Sequence, residues 1–239
     1  MTIWKKILDF IYPENNQCLK CGQKYFFSEI DMICDSCLLE LKILHNYCRI
    51  CGRGLEDLEL KYCSYCQENE FYFDLARSIG LYGGILKELL INFKYNHHIK
   101  TKTPLVNLLF IYLKYYYISE NIDIIVPVPI HEERRKTRGY NQAELLASGL
   151  SGKSGIPLSS QLIRTGETPP LYNFAFEQRK LLLENSFFVE KGCYQGKNLL
   201  LIDDIFTTGA TSNEISFILK KVGGAESVFV LTIATALTF

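Results

Sequence analysis

Two sets of residues in this chain have the types and the spacing to do chemistry. The first is eight cysteines, Cys18, Cys21, Cys34, Cys37, Cys48, Cys51, Cys63 and Cys66, arranged as four C-x2-C pairs separated by 12, 10 and 11 residues. A C-x2-C pair bends the backbone so that both thiolates reach one ion, and two pairs complete a tetrahedral shell. Eight thiolates therefore imply two Zn2+ sites. Each shell is full, with no position for a water, so the sites are expected to be structural rather than catalytic. Sequential pairing (Cys18, Cys21, Cys34 and Cys37, then Cys48, Cys51, Cys63 and Cys66) keeps the loops short; cross-bracing is the alternative. Gly22 and Gly52 directly follow two of the pairs, where a metal-binding knuckle needs positive φ. A disulfide framework is the competing reading, disfavoured because no secretory signal is visible.

The second set is LLLIDDIFTTGAT, Leu199–Thr211. An apolar strand here ends in Asp203 and Asp204 and passes through a hydroxyl-rich turn into a helix. Ligands of α/β proteins gather at the carboxyl ends of such strands. The turn, Thr207, Thr208, Gly209, Ala210 and Thr211, offers backbone amides, hydroxyls and a helix N-terminus to an anion. Gly209 lets the backbone approach that anion closely. Asp203 and Asp204 can accept hydrogen bonds from vicinal hydroxyls, so the whole suits a ribose phosphate. The plain alternative is a solvated strand end followed by an ordinary helix cap.

These residues need elements to hold them. From Phe71 onward the chain alternates helix and strand, which predicts a parallel sheet with helices on its faces. Helices are expected over Ile85–Tyr95, Pro104–Ile118, Asn141–Leu150 and Asn213–Val222. Strands are expected over Ile122–Ile130, Phe187–Glu190, Asn198–Ile205 and Ser227–Ala236, with Gly223 and Gly224 closing the last helix. Eight of the nine cysteines precede residue 67, which divides the chain into a Cys-rich head, 1–70, and a larger body, 71–239. The first twelve residues read as a short amphipathic helix, too short and too charged for a signal peptide or a span. That predicts a cytoplasmic protein with no membrane partner.

Charge excludes a globally basic nucleic-acid binder: 26 basic and 26 acidic residues balance. Residues 1–70 carry 8 basic and 11 acidic side chains, and each all-thiolate zinc site adds negative charge. Such a head repels phosphate at long range. Its aromatic residues Tyr25, Phe26, Phe27, Tyr47, Tyr62 and Tyr65 could stack on bases or build a core around the metals. His45, His97, His98 and His131 show no metal-ligand spacing, and Cys193 reads as a spectator.

Leu199–Thr211 resembles the signature of type I phosphoribosyltransferases that binds 5-phosphoribosyl pyrophosphate (PRPP). Val126–Ala147 (VPVPIHEERRKTRGYNQAELLA) and Tyr82–Tyr95 (YGGILKELLINFKY) resemble segments of the competence-associated ComF/ComFC family. That family sets a zinc head before a phosphoribosyltransferase body. The resemblance covers nearly the whole chain and implies an α/β, type I phosphoribosyltransferase-like fold with a small Cys-rich zinc domain. It implies that Asp203 and Asp204 orient the sugar and stabilise developing positive charge. Pyrophosphate would be met near Pro129–Arg138, where Arg134, Arg135, Lys136 and Arg138 supply donors; the same cluster could bind a DNA backbone or be a solvated loop. Lys94 is a weaker candidate contact. Mg2+ would accompany PRPP. The family's mobile flap maps onto Thr168–Asn185, with Arg179 retained but Leu171 and Leu182 standing where Gln and Asn are expected; Asn185 is a possible displaced counterpart. These departures put turnover, rather than PRPP binding, in question.

The leading expectation is thus a phosphoribosyltransferase with an unnamed acceptor, acting in DNA uptake or nucleotide metabolism. The competing one is a non-catalytic accessory factor that binds single-stranded DNA or a competence helicase on the same scaffold. A third is an assembly platform that zinc and PRPP only stabilise.

Overall fold

The computed structural model describes residues 17–25, 28–95, 99–166, 178, 182–183 and 185–236, with the backbone alone at Tyr95, Ile99, Arg134 and Arg138. The amphipathic segment at the N-terminus, the pair Phe26–Phe27, His97–His98, and Thr168, Leu171 and Arg179 of the expected flap lie outside the described residues.

The body is built on four strands, β1 (Leu75–Leu81), β2 (Ile124–Pro127), β5 (Asn198–Phe206) and β6 (Ser227–Thr235). They lie in the order β1-β6-β5-β2, and every pairing is parallel. Between β2 and β5 the chain adds a two-residue antiparallel pair, β3 (Ile163–Arg164) with β4 (Phe187–Phe188). A single parallel bridge, Ile125 to Leu158, extends the sheet beyond β2. The near-continuous apolar runs of β5 and β6 follow from burial on both faces.

Helices cover those faces. On one side α3 (Gly84–Tyr95), α4 (Lys102–Tyr116) and α6 (Gln142–Ser154) pack over Leu200, Ile202, Phe229, Leu231 and Ile233. On the other, α7 (Ala210–Lys221) packs over Leu199, Leu201, Val228 and Val230. The predicted parallel sheet flanked by helices is therefore present. A short helix, α5 (Glu132–Arg138), replaces the open basic loop expected after β2. His131 caps it through Nδ1, which accepts from the Glu133 amide, and Gly139 ends it at φ 80°.

Strand β1 was not foreseen. Its sequence LARSIGL places Arg77 and Ser78 mid-strand, which breaks the apolar run. The tertiary structure accommodates both: Ser78 shares a hydrogen bond with Thr232 of β6, 2.7 Å, and Arg77 turns toward the head. The head in turn covers the free edge of β1. The Ala76 amide donates to the Ile50 carbonyl, 2.8 Å, and the Leu81 amide to the Lys42 carbonyl, 2.9 Å. An edge strand left bare would invite pairing with another chain.

The two cysteine quartets straddle this edge. Cys18, Cys34 and Cys37 join the core on the α3–α4 face, whereas Cys48, Cys51, Cys63 and Cys66 join the core on the α7 face. Arg77 links the second knuckle to the sheet, donating to the carbonyls of Cys48, 3.4 Å, and Arg49, 2.9 Å, while stacked on Tyr47 and Tyr116. Tyr47 therefore packs within the protein. The short helices α1 (Asp35–Leu38) and α2 (Ser64–Glu68) each begin at the second pair of a quartet.

Candidate functional site

The quartets are assembled sequentially, as the short-loop reading predicts. Within Cys18, Cys21, Cys34 and Cys37, and within Cys48, Cys51, Cys63 and Cys66, all sulfurs lie inside 4.8 Å of one another. The Sγ atoms of Cys21 and Cys34, and of Cys51 and Cys63, are 3.7 Å apart. A tetrahedron of Zn–S bonds has edges of about 3.8 Å, so both donor sets fit Zn2+. No disulfide joins any of them. In the second quartet the thiols lean on one another: Cys51 and Cys66 hold Cys48 far below the ordinary thiol value, while Cys48 pushes Cys66 far above it. A bound Zn2+ replaces those shared protons. Gly22 and Gly52 take φ of 73° and 71°, as the knuckles require. A side chain at Gly52 would also strike the Ala76 carbonyl at 2.8 Å.

At the opposite end of β5 stands a site of different character. The strand order reverses between β2 and β5: the chain leaves β2 for the bridge at Leu158 on one side and leaves β5 for β6 on the other. Such a reversal opens a crevice at the carboxyl ends of the two strands. Asp203 and Asp204 fall at that end of β5, one step past the Pro127–Ile202 pairing with β2. Residues alternate along a strand, so the two acids leave on opposite faces. Asp204 follows the Leu200–Ile202 face, toward α3. There Lys94, in the last turn of α3, approaches its Oδ2 to 2.6 Å, and each side chain is 16% exposed. Asp203 follows the other face. Its Oδ1 accepts from the Asp204 amide at 2.8 Å.

Burial, reinforced by the neighbouring Asp204 charge, pushes the Asp203 carboxyl up to about 7; the Asp204 amide, Lys94 and Arg164 only partly offset this. Asp203 is thus a carboxyl that changes protonation near neutrality.

Beyond the acids, Thr207, Thr208 and Gly209 form the turn, and Ala210 and Thr211 open α7. Gly209 is the N-cap, in the left-handed region at φ 83°, and it offers no side chain to the first helical amides. A Cβ there would sit 2.8 Å from the Phe206 ring. Of the first amides, Ala210 meets the Thr208 hydroxyl at 3.4 Å. Twelve residues of helix dipole end on this turn, so an anion is favoured there.

The basic segment after β2 is placed less simply. Lys136 pairs with Glu132 at 3.6 Å and Glu133 at 3.0 Å on the outer surface of α5. Arg135 pairs with Glu144 at 3.6 Å. Arg135 lines a 240 Å³ cleft between the end of β2 and β3, together with Glu132, Asn141, Glu144 and Arg164. The side chains of Arg134 and Arg138 lie outside the described residues, as does Arg179. Asn185 sits in a left-handed turn at φ 60°, just before β4.

Two functional candidates were underweighted or missed from sequence. Lys94 read as a surface lysine at a helix end, yet it is the partner of Asp204. Arg164 drew no attention, yet it lines the cleft and its charge acts on Asp203. Its one signal is a cation in the otherwise apolar strand preceding the expected flap.

The double zinc ribbon domain family matches residues 7–67. The chain is 30% identical over 218 residues to competence protein F of Haemophilus influenzae, covering 89% of this chain and 94% of that one. This chain belongs to the ComF family. A second ComF relative, competence protein ComFC of Bacillus subtilis, is 30% identical over 210 residues, with 85% and 84% covered. Among solved structures, adenine phosphoribosyltransferase from Saccharomyces cerevisiae aligns with 59% of the ComF chain and 72% of its own, at 16% identity and a TM-score of 0.38. Among the described residues, no helix is long and apolar enough to cross a membrane.

Proposed function

We propose that the body binds PRPP and transfers its phosphoribosyl group, with the crevice between β2 and β5 as the site. The observation that carries this reading is the juxtaposition at the end of β5. The carboxyl groups of Asp203 and Asp204 lie one short turn from the N-terminus of α7, whose N-cap, Gly209, carries no side chain. The ribose 5-phosphate would seat its phosphate on Thr207–Thr211 and its hydroxyls on Asp203 and Asp204. The diphosphate would then point toward the segment after β2, where Arg135 and Arg164 line the cleft.

In the reaction the bond from the anomeric carbon to the diphosphate oxygen breaks, its electron pair leaving with pyrophosphate, and a bond to the acceptor nucleophile forms. Mg2+ would enter on the diphosphate and offset its charge. The chain's own part is to fix the sugar and place negative charge beside the carbon that becomes cationic. An ionised Asp203 serves that role better than a neutral one, so the step should strengthen as pH rises past about 7. The competence names of the two relatives suggest a place for this chemistry in DNA uptake. Direct DNA contact has less support, since basic and acidic residues balance over the chain and residues 1–70 carry 8 basic and 11 acidic side chains.

Isothermal titration of the zinc-loaded chain with PRPP and Mg2+ tests the proposal. We expect single-site heat from the wild type, and affinity weakened about tenfold in Asp204→Asn through loss of a charge-assisted acceptor. Absence of heat from the folded wild type overturns it.

A further inference from the structure

The two knuckles have nearly the same sequence, Cys18–Gly22 (CLKCG) and Cys48–Gly52 (CRICG). They also share a turn: the Gly22 amide donates to the Cys18 carbonyl and the Gly52 amide to the Cys48 carbonyl, each at 2.9 Å. They differ in what covers them. Strand β1 lies against the second, where Cys51 and Gly52 are buried and a Cβ on Gly52 would meet the Ala76 carbonyl at 2.8 Å. In the first, Cys21, Gly22, Gln23 and Lys24 are all exposed. A Cβ on Gly22 would meet, among the described residues, Gln17 of the same loop at 3.8 Å. Cys21 is the one exposed cysteine of the two quartets.

A zinc ligand is a thiolate, and thiolates are oxidised according to access. Burial therefore shields seven of the eight ligands and leaves Cys21 open. A second sulfur stands ready beside it. Cys34, 6% exposed, holds its Sγ 3.7 Å from that of Cys21. A disulfide needs about 2.05 Å, so a small movement of an exposed loop joins them. We propose that Cys21 is a modification site for a peroxide, and that its oxidation releases the first zinc while the second is kept. The Cys21 thiolate attacks one peroxide oxygen, the O–O bond breaks, and hydroxide leaves a sulfenic acid on Cys21. The Cys34 thiolate then attacks the Cys21 sulfur, an S–S bond forms, and a second hydroxide leaves. The two sulfurs lose two electrons, and the peroxide gains them. Cys18 and Cys37 remain as two donors where a closed site needs four. Cys48, Cys51, Cys63 and Cys66, all buried, keep their ion.

The release has a local structural consequence. From Cys34 the chain runs through α1 to Lys42, whose carbonyl accepts from the Leu81 amide at the end of β1, 2.9 Å. Ile50, inside the second knuckle, accepts from the Ala76 amide near the start of that strand, 2.8 Å. The segments tied to the two quartets thus cover opposite ends of one strand edge. Oxidation of the first uncovers the Leu81 end and leaves the Ala76 end closed.

The test treats the full zinc-loaded chain with hydrogen peroxide in the presence of a chromogenic zinc chelator. It is run on the wild type and on Cys193→Ser, which removes the half-buried cysteine outside the quartets. One equivalent of zinc should leave at least about tenfold faster than the other, and peptide mapping should find Cys21 bridged to Cys34. Release of both equivalents together overturns the proposal, as does a first bridge between any other two cysteines. Hydrogen exchange at single amides supplies a second readout that needs no variant. After the first equivalent is lost, Leu81 should exchange several-fold faster and Ala76 at its original rate. Equal acceleration at both amides, or none at Leu81, overturns the assignment of the two knuckles to the two ends of the edge.

Discussion

The cysteine head and the end of β5 solve opposite problems with similar means. Each brings together groups that repel when ionised. In the head, two sets of four cysteines, all buried except Cys21, bring sulfurs to 3.7 Å contacts, and each donor set is complete. At the end of β5, two carboxylates diverge to opposite faces, one held by Lys94 and the other left to titrate near 7. The head spends its chemistry on holding the chain together. It covers the edge of β1 and contributes cysteines to the cores on both faces of the sheet. The strand end keeps one carboxyl without a directly paired cation and opens onto a helix whose N-cap, Gly209, carries no side chain, which leaves binding capacity for a ligand. Structural sites are satisfied internally; binding sites hold some of their interactions in reserve.

The sharpest way to break this contrast is to damage the head and watch the body. Cys48→Ser removes a fully buried ligand whose carbonyl also receives Arg77. We expect loss of one equivalent of zinc and a destabilisation of about 4 kcal/mol or more. Head and body should melt in one transition, because the second quartet shares its core with Phe73, Ala76 and Val126. Zinc quantification together with near- and far-ultraviolet circular dichroism checks this. A body that melts unchanged after the head is lost would show the two regions to be energetically separate.

A smaller effect is expected at the turn. Gly209→Ala places a Cβ 2.8 Å from the Phe206 ring at φ 83°. The left-handed backbone and the crowding together should cost about 2 kcal/mol of stability, measured by urea denaturation. The same change should weaken ribose 5-phosphate binding more than it weakens the fold, since the turn loses its approach to the phosphate.

The smallest effect has the opposite sign. The folded Asp203 carboxyl holds its proton up to about 7, whereas the unfolded one releases it near 3.8. The stability this proton contributes is complete below the unfolded value and is lost as pH rises through 7. Asp203→Asn should therefore stabilise the chain at pH 8 by about 1–2 kcal/mol. It should also flatten the decline between pH 4 and pH 7, as read from thermal melts across that range. A variant less stable than the wild type at pH 8 would mean that the site is relaxed rather than strained.

Much of this protein was legible from its sequence. The C-x2-C spacing dictated two metal sites, because short loops leave paired thiolates few other partners, and the sequential quartets follow. The apolar runs at 198–206 and 227–235 declared themselves as buried parallel strands, since only such strands are apolar on both faces. The Asp-Asp-to-Gly209 turn could be read as an anion site because helix geometry aims the first amides forward whatever surrounds them. Tertiary structure decided what depends on distant neighbours. It made a strand of the polar segment around Arg77 by laying the head along its edge. It folded the basic run after β2 into a helix on which Lys136 faces Glu132 and Glu133 and Arg135 faces Glu144 of α6. It brought Lys94 and Arg164, far from the acids in sequence, to bear on Asp204 and Asp203. Local pattern sets which element a segment prefers, but the charge state of a carboxyl belongs to everything within a few ångströms of it, and only the folded chain determines what that is.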